Sequence, residues 1–164
     1  VIFDLTVAIE VGLVIACVLF MKRVMETTEI SVITDEIDPN KESDIAVHEE
    51  NLMIPKGIEV YEINGPYFFG IATKFEETMT QLGDRPKVRI IRMRKVPFID
   101  STGIHNLTAL CEMSQKEKTT IILSGVNKNV HNVLEKAGFY ELLGKENICP
   151  NINVALERAK SLVE

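Results

Sequence analysis

Tryptophan is absent from these 164 residues, and aromatic side chains make up only 6%. The core must therefore be aliphatic, and the 46% hydrophobic share is enough to build one. Positive charge is also scarce. Eighteen Lys and Arg face 24 Asp and Glu, a net charge of −6. Nucleic acid is excluded as the main partner, because neutralising phosphates needs a basic surface. Cysteines are few, odd in number and far apart: Cys17, Cys111 and Cys149. No CxxC pair or Cys/His cluster occurs, so neither a zinc site nor a disulfide framework is indicated, and a reducing environment is expected. No metal and no cofactor is expected. The lysine and spacing of a phosphate-binding P-loop are missing, which leaves NTP hydrolysis without support.

Length suits one ordinary domain plus a little more. The chain opens on Val1 rather than Met, so a fragment, or a numbering that starts inside a longer protein, is expected. Residues 5–21, "LTVAIEVGLVIACVLFM", are apolar except for Thr6, Glu10 and Gly12. As a helix they span roughly 25 Å at about 1.5 Å per residue. A bilayer core is about 30 Å thick, so this reads as a short or truncated membrane span within residues 1–25. It lacks the basic start and small-residue cleavage site of a signal peptide. Lys22 and Arg23 come next and place the downstream chain in the cytoplasm. The alternative is a buried or amphipathic helix of a soluble protein. Glu10 favours a helix packed in a bundle, since an acid facing lipid is costly. The span therefore reads as the last of several.

Residues 26–50 hold nine acids and one base, with Pro39-Asn40 at the centre. They read as a solvated linker, 26–56, with a short extended piece at Ile30–Ile33. The domain proper is expected over 57–164. There, "IEVYEI" (58–63) is a strand and Asn64-Gly65-Pro66 a turn. Tyr67–Ala72 would close a hairpin. Next come a helix over 73–83, a strand over 87–93, a helix from Thr102 to about Glu117 and a strand over 119–124. A helix over 129–137 would bury Val130, Val133, Leu134 and Ala137 and stop at Gly138. Ile148 marks a short strand, and 153–163 a last helix with Val154, Leu156, Ala159 and Leu162 as its apolar residues. Strands alternating with helices predict an α/β fold. Its mostly parallel sheet of four to five strands has an antiparallel edge and about four flanking helices.

The stretch "VPFIDSTGIHNL" (96–107) hands an apolar segment to a helix through Asp100-Ser101-Thr102-Gly103. Asp100 or Ser101 can cap the helix, and Gly103 allows close approach. Two roles are open to the hydroxyls: they can simply satisfy amides, or they can form a site. Helix starts favour anions, and a phosphate there would add about −1.5 to −2 charges beside Asp100. Catalysis fits poorly. A nucleophilic serine needs a base and a group to orient it, and neither His105 nor His131 is paired with an evident orienting acid. The chain is therefore not expected to be an enzyme. The run "KVRIIRMRK" (87–95) alternates bases with apolar residues, as on the solvent side of a strand. It has no interleaved aromatics, which argues against nucleic acid again.

"PFIDSTGIHNL" (97–107) resembles the signature of STAS domains, found in sulfate transporters and anti-sigma-factor antagonists. "INGPYFFGIATKFE" (63–76) resembles the opening hairpin and first helix of that domain in SulP-type anion transporters. "LEKAGFYELLGKENI" (134–148) resembles its third helix and the loop after it. "DLTVAIEVGLVIACVLFMKRV" (4–24) looks like the last transmembrane helix of the same transporters. The resemblance implies the C-terminal end of a bacterial SulP permease for sulfate, bicarbonate or dicarboxylates. The implied STAS fold would be a regulatory module on the cytoplasmic side of the inner membrane. Implied partners are the lipid bilayer, the transporter's own membrane domain and an unidentified cytosolic regulatory protein, with a homodimer left open. By analogy with the antagonists, Thr102, with Ser101 beside it, would be the phospho-acceptor. Asp100, Ser101, Thr102, Gly103, His105 and Asn106 would form the partner- or anion-binding turn. The alternative is a phospho-switch in a sigma-factor cascade.

Overall fold

The computed structural model describes residues 2–26, 29–33, 36–37, 52–67 and 86–163. Helix α1 (Ile2–Glu26) comes first. Strands β1 (Glu29–Ile33), β2 (Glu36–Ile37), β3 (Leu52–Met53), β4 (Ile58–Asn64) and β5 (Val88–Arg92) succeed it. Then come α2 (Ser101–Lys116), β6 (Thr120–Ser124), α3 (Lys128–Lys136), α4 (Phe139–Leu143), β7 (Ile148–Cys149) and α5 (Ile152–Val163). Helix 73–83 and residues 68–72 of the expected hairpin lie outside the described residues.

The strands order as β1-β4-β5-β6-β7, and β2 pairs separately with β3. β4 to β7 run parallel, as the alternation of strands and helices requires. β1 runs antiparallel to β4, with Glu29 opposite Asn64 and Ile33 opposite Val60. The antiparallel edge therefore exists, and it is formed by β1, upstream of β4. β1 and β5 occupy both edges of β4, and Tyr67 instead bridges Ile99 in parallel. The extended piece expected at 30–33 is thus part of the sheet, which reaches into the acidic stretch.

The sheet is buried on both faces. Tyr61, Ile63, Ile91, Met93, Ile121 and Leu123 pack against α2, α3 and α4 through Leu107, Cys111, Val130, Leu134, Phe139 and Leu143. On the other face, Val60, Val88, Ile90 and Ile122 pack against Ile152, Ala155, Leu156 and Ala159 of α5. Two helix positions depart from expectation. Ala137 is exposed and lies just past α3, and Val154 points outward at 40% exposure while Ile152 and Ala155 take the inward stripe. The short helix α4 is an addition to the elements expected from periodicity, since five residues are too few to show a helical repeat. It starts directly after Gly138, whose φ of 69° makes a left-handed bend that reverses the chain between α3 and α4.

Burial on both faces also corrects the reading of the basic run as a solvent-side stripe. Lys87, Arg94 and Lys95 are exposed, but Arg89 and Arg92 are only 4% and 5% accessible. Each meets an acid in register on β4: Glu59 opposite Arg89, and Glu62 opposite Arg92. Arg89 Nε lies 3.3 Å from Glu59 Oε2, and its Nη1 donates to Ser114 Oγ at 3.4 Å. Arg92 Nη1 is 3.6 Å from Glu62 Oε1. A buried guanidinium persists when a carboxylate and further acceptors surround it.

Helix α1 belongs to neither layer. Its side chains from Asp4 to Arg23 are exposed, including Leu5 at 64% and Phe20 at 68%. The segment Asp4–Arg23 is 20 residues long with a mean hydropathy of 2.2, long and apolar enough to cross a membrane.

Candidate functional site

The Asp100–Gly103 turn sits where the chain leaves the carboxyl end of β5. Pro97 cannot extend the ladder, and helix α2 begins at Ser101. Of the two neighbouring candidates, Asp100 is the cap. Its backbone is extended, and its Oδ1 accepts from Gly103 N–H at 2.7 Å. The Asp100 carbonyl accepts from Ile104 N–H at 3.0 Å, the first bond of the helix.

Gly103 is there for close approach. A Cβ at this position would lie 2.4 Å from the Tyr67 carbonyl oxygen and 2.8 Å from Ile99 Cγ1. The first turn of α2 thus packs directly on the backbone of Tyr67. That residue is held in turn by its N–H donating to Phe98 O at 3.1 Å. Gly65 N–H donates to Lys95 O at 3.2 Å, which ties the loop after β4 to the same segment.

The fixed backbone presents its side chains outward. Ser101, Thr102 and His105 are exposed, Asn106 is half-buried, and Asp100 is partly covered. The six expected site residues therefore lie together, five on the outer side and Gly103 beneath as the packing point. Neighbouring side chains beyond those six extend the surface: Arg94, Pro97 and Phe98 are exposed, Phe98 at 52%. Asn127 supports the loop from behind. Its Oδ1 caps α3 by accepting from Val130 N–H at 3.0 Å, and its Nδ2 donates to the carbonyl of Val96. An Asn directly before a helix is legible in sequence as a cap; its second bond is not. His131, the other histidine considered for catalysis, is engaged elsewhere. Its Nδ1 lies 2.6 Å from the Tyr140 hydroxyl between α3 and α4.

A cavity of about 280 Å³ opens at the opposite end of the sheet, lined by Cys111, Gln115, Lys118, Thr119, Leu143 and Asn147 among others. Burial, with a smaller contribution from Glu112, pushes the Cys111 thiol up to about 12. It is therefore protonated and unreactive near neutrality.

Comparison with known proteins gives a consistent picture. A family model described as the STAS domain matches residues 51–155. A candidate sulfate transporter of Bacillus subtilis, YvdB, is 26% identical over 148 residues. That alignment takes in 90% of this chain and 26% of the relative, so the chain spans about a quarter of the length of the curated relatives it matches. A crystal structure of a sulfate transporter family protein from Wolinella succinogenes is 41% identical, with a TM-score of 0.65. The match covers 77% of this chain and 98% of that one. The STAS domain of a SulP transporter from Vibrio cholerae is 34% identical, with a TM-score of 0.61, over 68% of this chain and 87% of that one.

Proposed function

The chain belongs to the STAS domain family, and from that membership we propose that it is the STAS portion of a SulP-type anion transporter, joined to one of its membrane helices. In this reading α1 crosses the bilayer, Lys22 and Arg23 lie on its cytoplasmic side, and the residues from 57 onward form a cytoplasmic regulatory domain. The acidic stretch 26–56 joins the two and contributes β1 on the way. The carried anion is sulfate, bicarbonate or a dicarboxylate. The domain acts by binding proteins through Asp100, Ser101, Thr102, His105 and Asn106, and lies outside the permeation path.

The observation that carries the reading is the pairing of two features in one chain. One is a 20-residue apolar helix with every described side chain exposed; the other is a packed STAS domain. An apolar surface of that size calls for lipid or protein around it. The test is uptake of radiolabelled sulfate, bicarbonate and dicarboxylate by the full-length transporter in cells. Deleting residues 57–164 should impair uptake or its regulation at matched membrane abundance. Unchanged and normally regulated uptake would overturn the proposal.

A second reading is favoured by the exposure of Ser101 and Thr102 at the capped helix start. As a phospho-acceptor, Thr102 would place a dianion beside Asp100, repelling one partner without refolding the domain. Mass spectrometry of the turn after incubation with anti-sigma kinases separates this reading from the first.

A further inference from the structure

The cavity near the amino end of β6 has its cause in the sheet. β7 is two residues long and pairs with β6 only at Leu123 and Ser124. Nearer Thr120, no strand among the described residues covers that side of β6. An open sheet edge leaves main-chain donors and acceptors without a strand partner. The last turn of α2 and the segment after α4 close over this edge and leave about 280 Å³. Pockets for drug-sized molecules hold roughly 300–1,000 Å³, so this one suits a short ligand.

Its walls are fixed by hydrogen bonds. Buried Asn147 donates from Nδ2 to the Leu143 carbonyl at 2.8 Å and accepts at Oδ1 from Arg158 Nε at 3.2 Å. Thr119 Oγ1 donates to the Pro86 carbonyl at 2.8 Å. The floor is apolar. Cys111, Ile121 and Leu143 are all buried, and a protonated thiol packs as a small hydrophobe. The mouth differs, because Gln115 and Lys118 are exposed. Among the described residues the lining holds one cation, Lys118, and no acid.

Lys118 stands at that mouth in a conformation that does not suit it. α2 closes in a Schellman turn: Lys118 N–H donates to Gln115 O at 3.1 Å, and Thr119 N–H to Ser114 O at 2.8 Å. The residue after the cap in such a turn takes left-handed backbone and is usually glycine. Lys118 has φ 62° and is the one non-glycine residue with positive φ among the described residues. An L side chain is disfavoured there. Helix termination gives no reason for a lysine at this position, whereas an ammonium at the mouth of a cavity without acids does.

We propose that the cavity binds a short aliphatic carboxylate, with its chain on Cys111, Ile121 and Leu143 and its carboxylate on Lys118. Apolar burial favours the chain. The single ammonium meets one negative charge. A second charge, as on sulfate or a dicarboxylate, would lie against the apolar floor, where an unpaired ion is costly.

The test uses the whole 164-residue chain, labelled with ¹⁵N, in detergent micelles near neutral pH. Sodium hexanoate is titrated in and amide shifts are read by NMR. Saturable shifts are expected at Gln115, Thr119, Ile121 and Asn147, with Ser101 and Thr102, at the other end of the sheet, unmoved. Hexanamide, the same chain without charge, should bind about tenfold more weakly, and so should succinate. Lys118→Gln should weaken hexanoate about tenfold and leave hexanamide unchanged. Lys118→Gly should weaken hexanoate as much, yet raise the melting temperature by relieving the left-handed backbone. No saturable shift at these amides overturns the site. Equal binding of hexanoate and hexanamide, or unchanged hexanoate binding by K118Q, overturns the recognition of a carboxylate by Lys118. Succinate bound more tightly than hexanoate overturns the aliphatic ligand. A K118G chain that melts lower would show that Lys118 serves the turn itself, and would overturn the argument from its conformation.

Discussion

Gly103 shows how little room the turn leaves at the scale of one residue. The Cβ of an alanine there would meet the Tyr67 carbonyl oxygen at 2.4 Å, and backbone cannot swing aside as a flexible side chain can. Gly103→Ala should therefore cost about 1–3 kcal/mol, read as a lowered urea midpoint, because α2 must lift off Tyr67. Exposed Ser101 and Thr102 carry no such packing role. Cys111 gives a second residue-scale prediction. Its thiol is raised by burial from an ordinary value near 9 to about 12. A raised value means that the unfolded chain gives up the proton first. The stability it lends is fully present below about pH 9 and is lost as pH climbs toward 12. Across that window the wild type should lose stability more steeply than Cys111→Ala, measured by urea unfolding. Equal slopes would refute the burial argument.

Among the elements, β1 decides where the domain begins. The family match opens at residue 51, yet β1, at 29–33, covers the outer edge of β4 over its last five residues. Ile30 and Val32 also pack on the core from the helix-bearing side. A chain starting at 51 leaves that edge of β4 unpaired, and an open edge strand is both weaker and prone to association. A chain starting at 27 should remain monomeric on size exclusion. One starting at 51 should melt at least several degrees lower and elute in part as larger species. Equal melting and elution would show that β1 is dispensable. The paired ions obey the same element-scale logic. β5 is covered on both faces, and Glu59 and Glu62 of β4, in register, help Arg89 and Arg92 to be tolerated there.

For the whole molecule, two bodies of opposite character share one chain. α1 exposes its apolar side chains, while the domain turns its own inward against a sheet covered on both faces. The uptake experiment tests what the domain does for transport.

Local chemistry was enough to determine much of this. Alternation marked β4 and β5, helical spacing found α2, α3 and α5, and the acid-hydroxyl-hydroxyl-glycine sequence placed the turn at a helix start. The apolar run announced α1 through composition alone, since length and hydropathy are enough to mark such a helix. Long-range pairing was a different matter. Nothing in "EISVI" tells it to pair with β4, because it is short and a strand's partner is chosen by the register and burial of the assembled sheet. The same holds for Arg89 and Arg92, which look like a solvated stripe until a covered sheet matches them to acids 30 residues away in sequence. The choice of Asp100 over Ser101 as cap, and the second bond of Asn127 to Val96, also had to wait for tertiary structure. Each depends on a backbone atom brought near by packing, and only the folded chain fixes that distance.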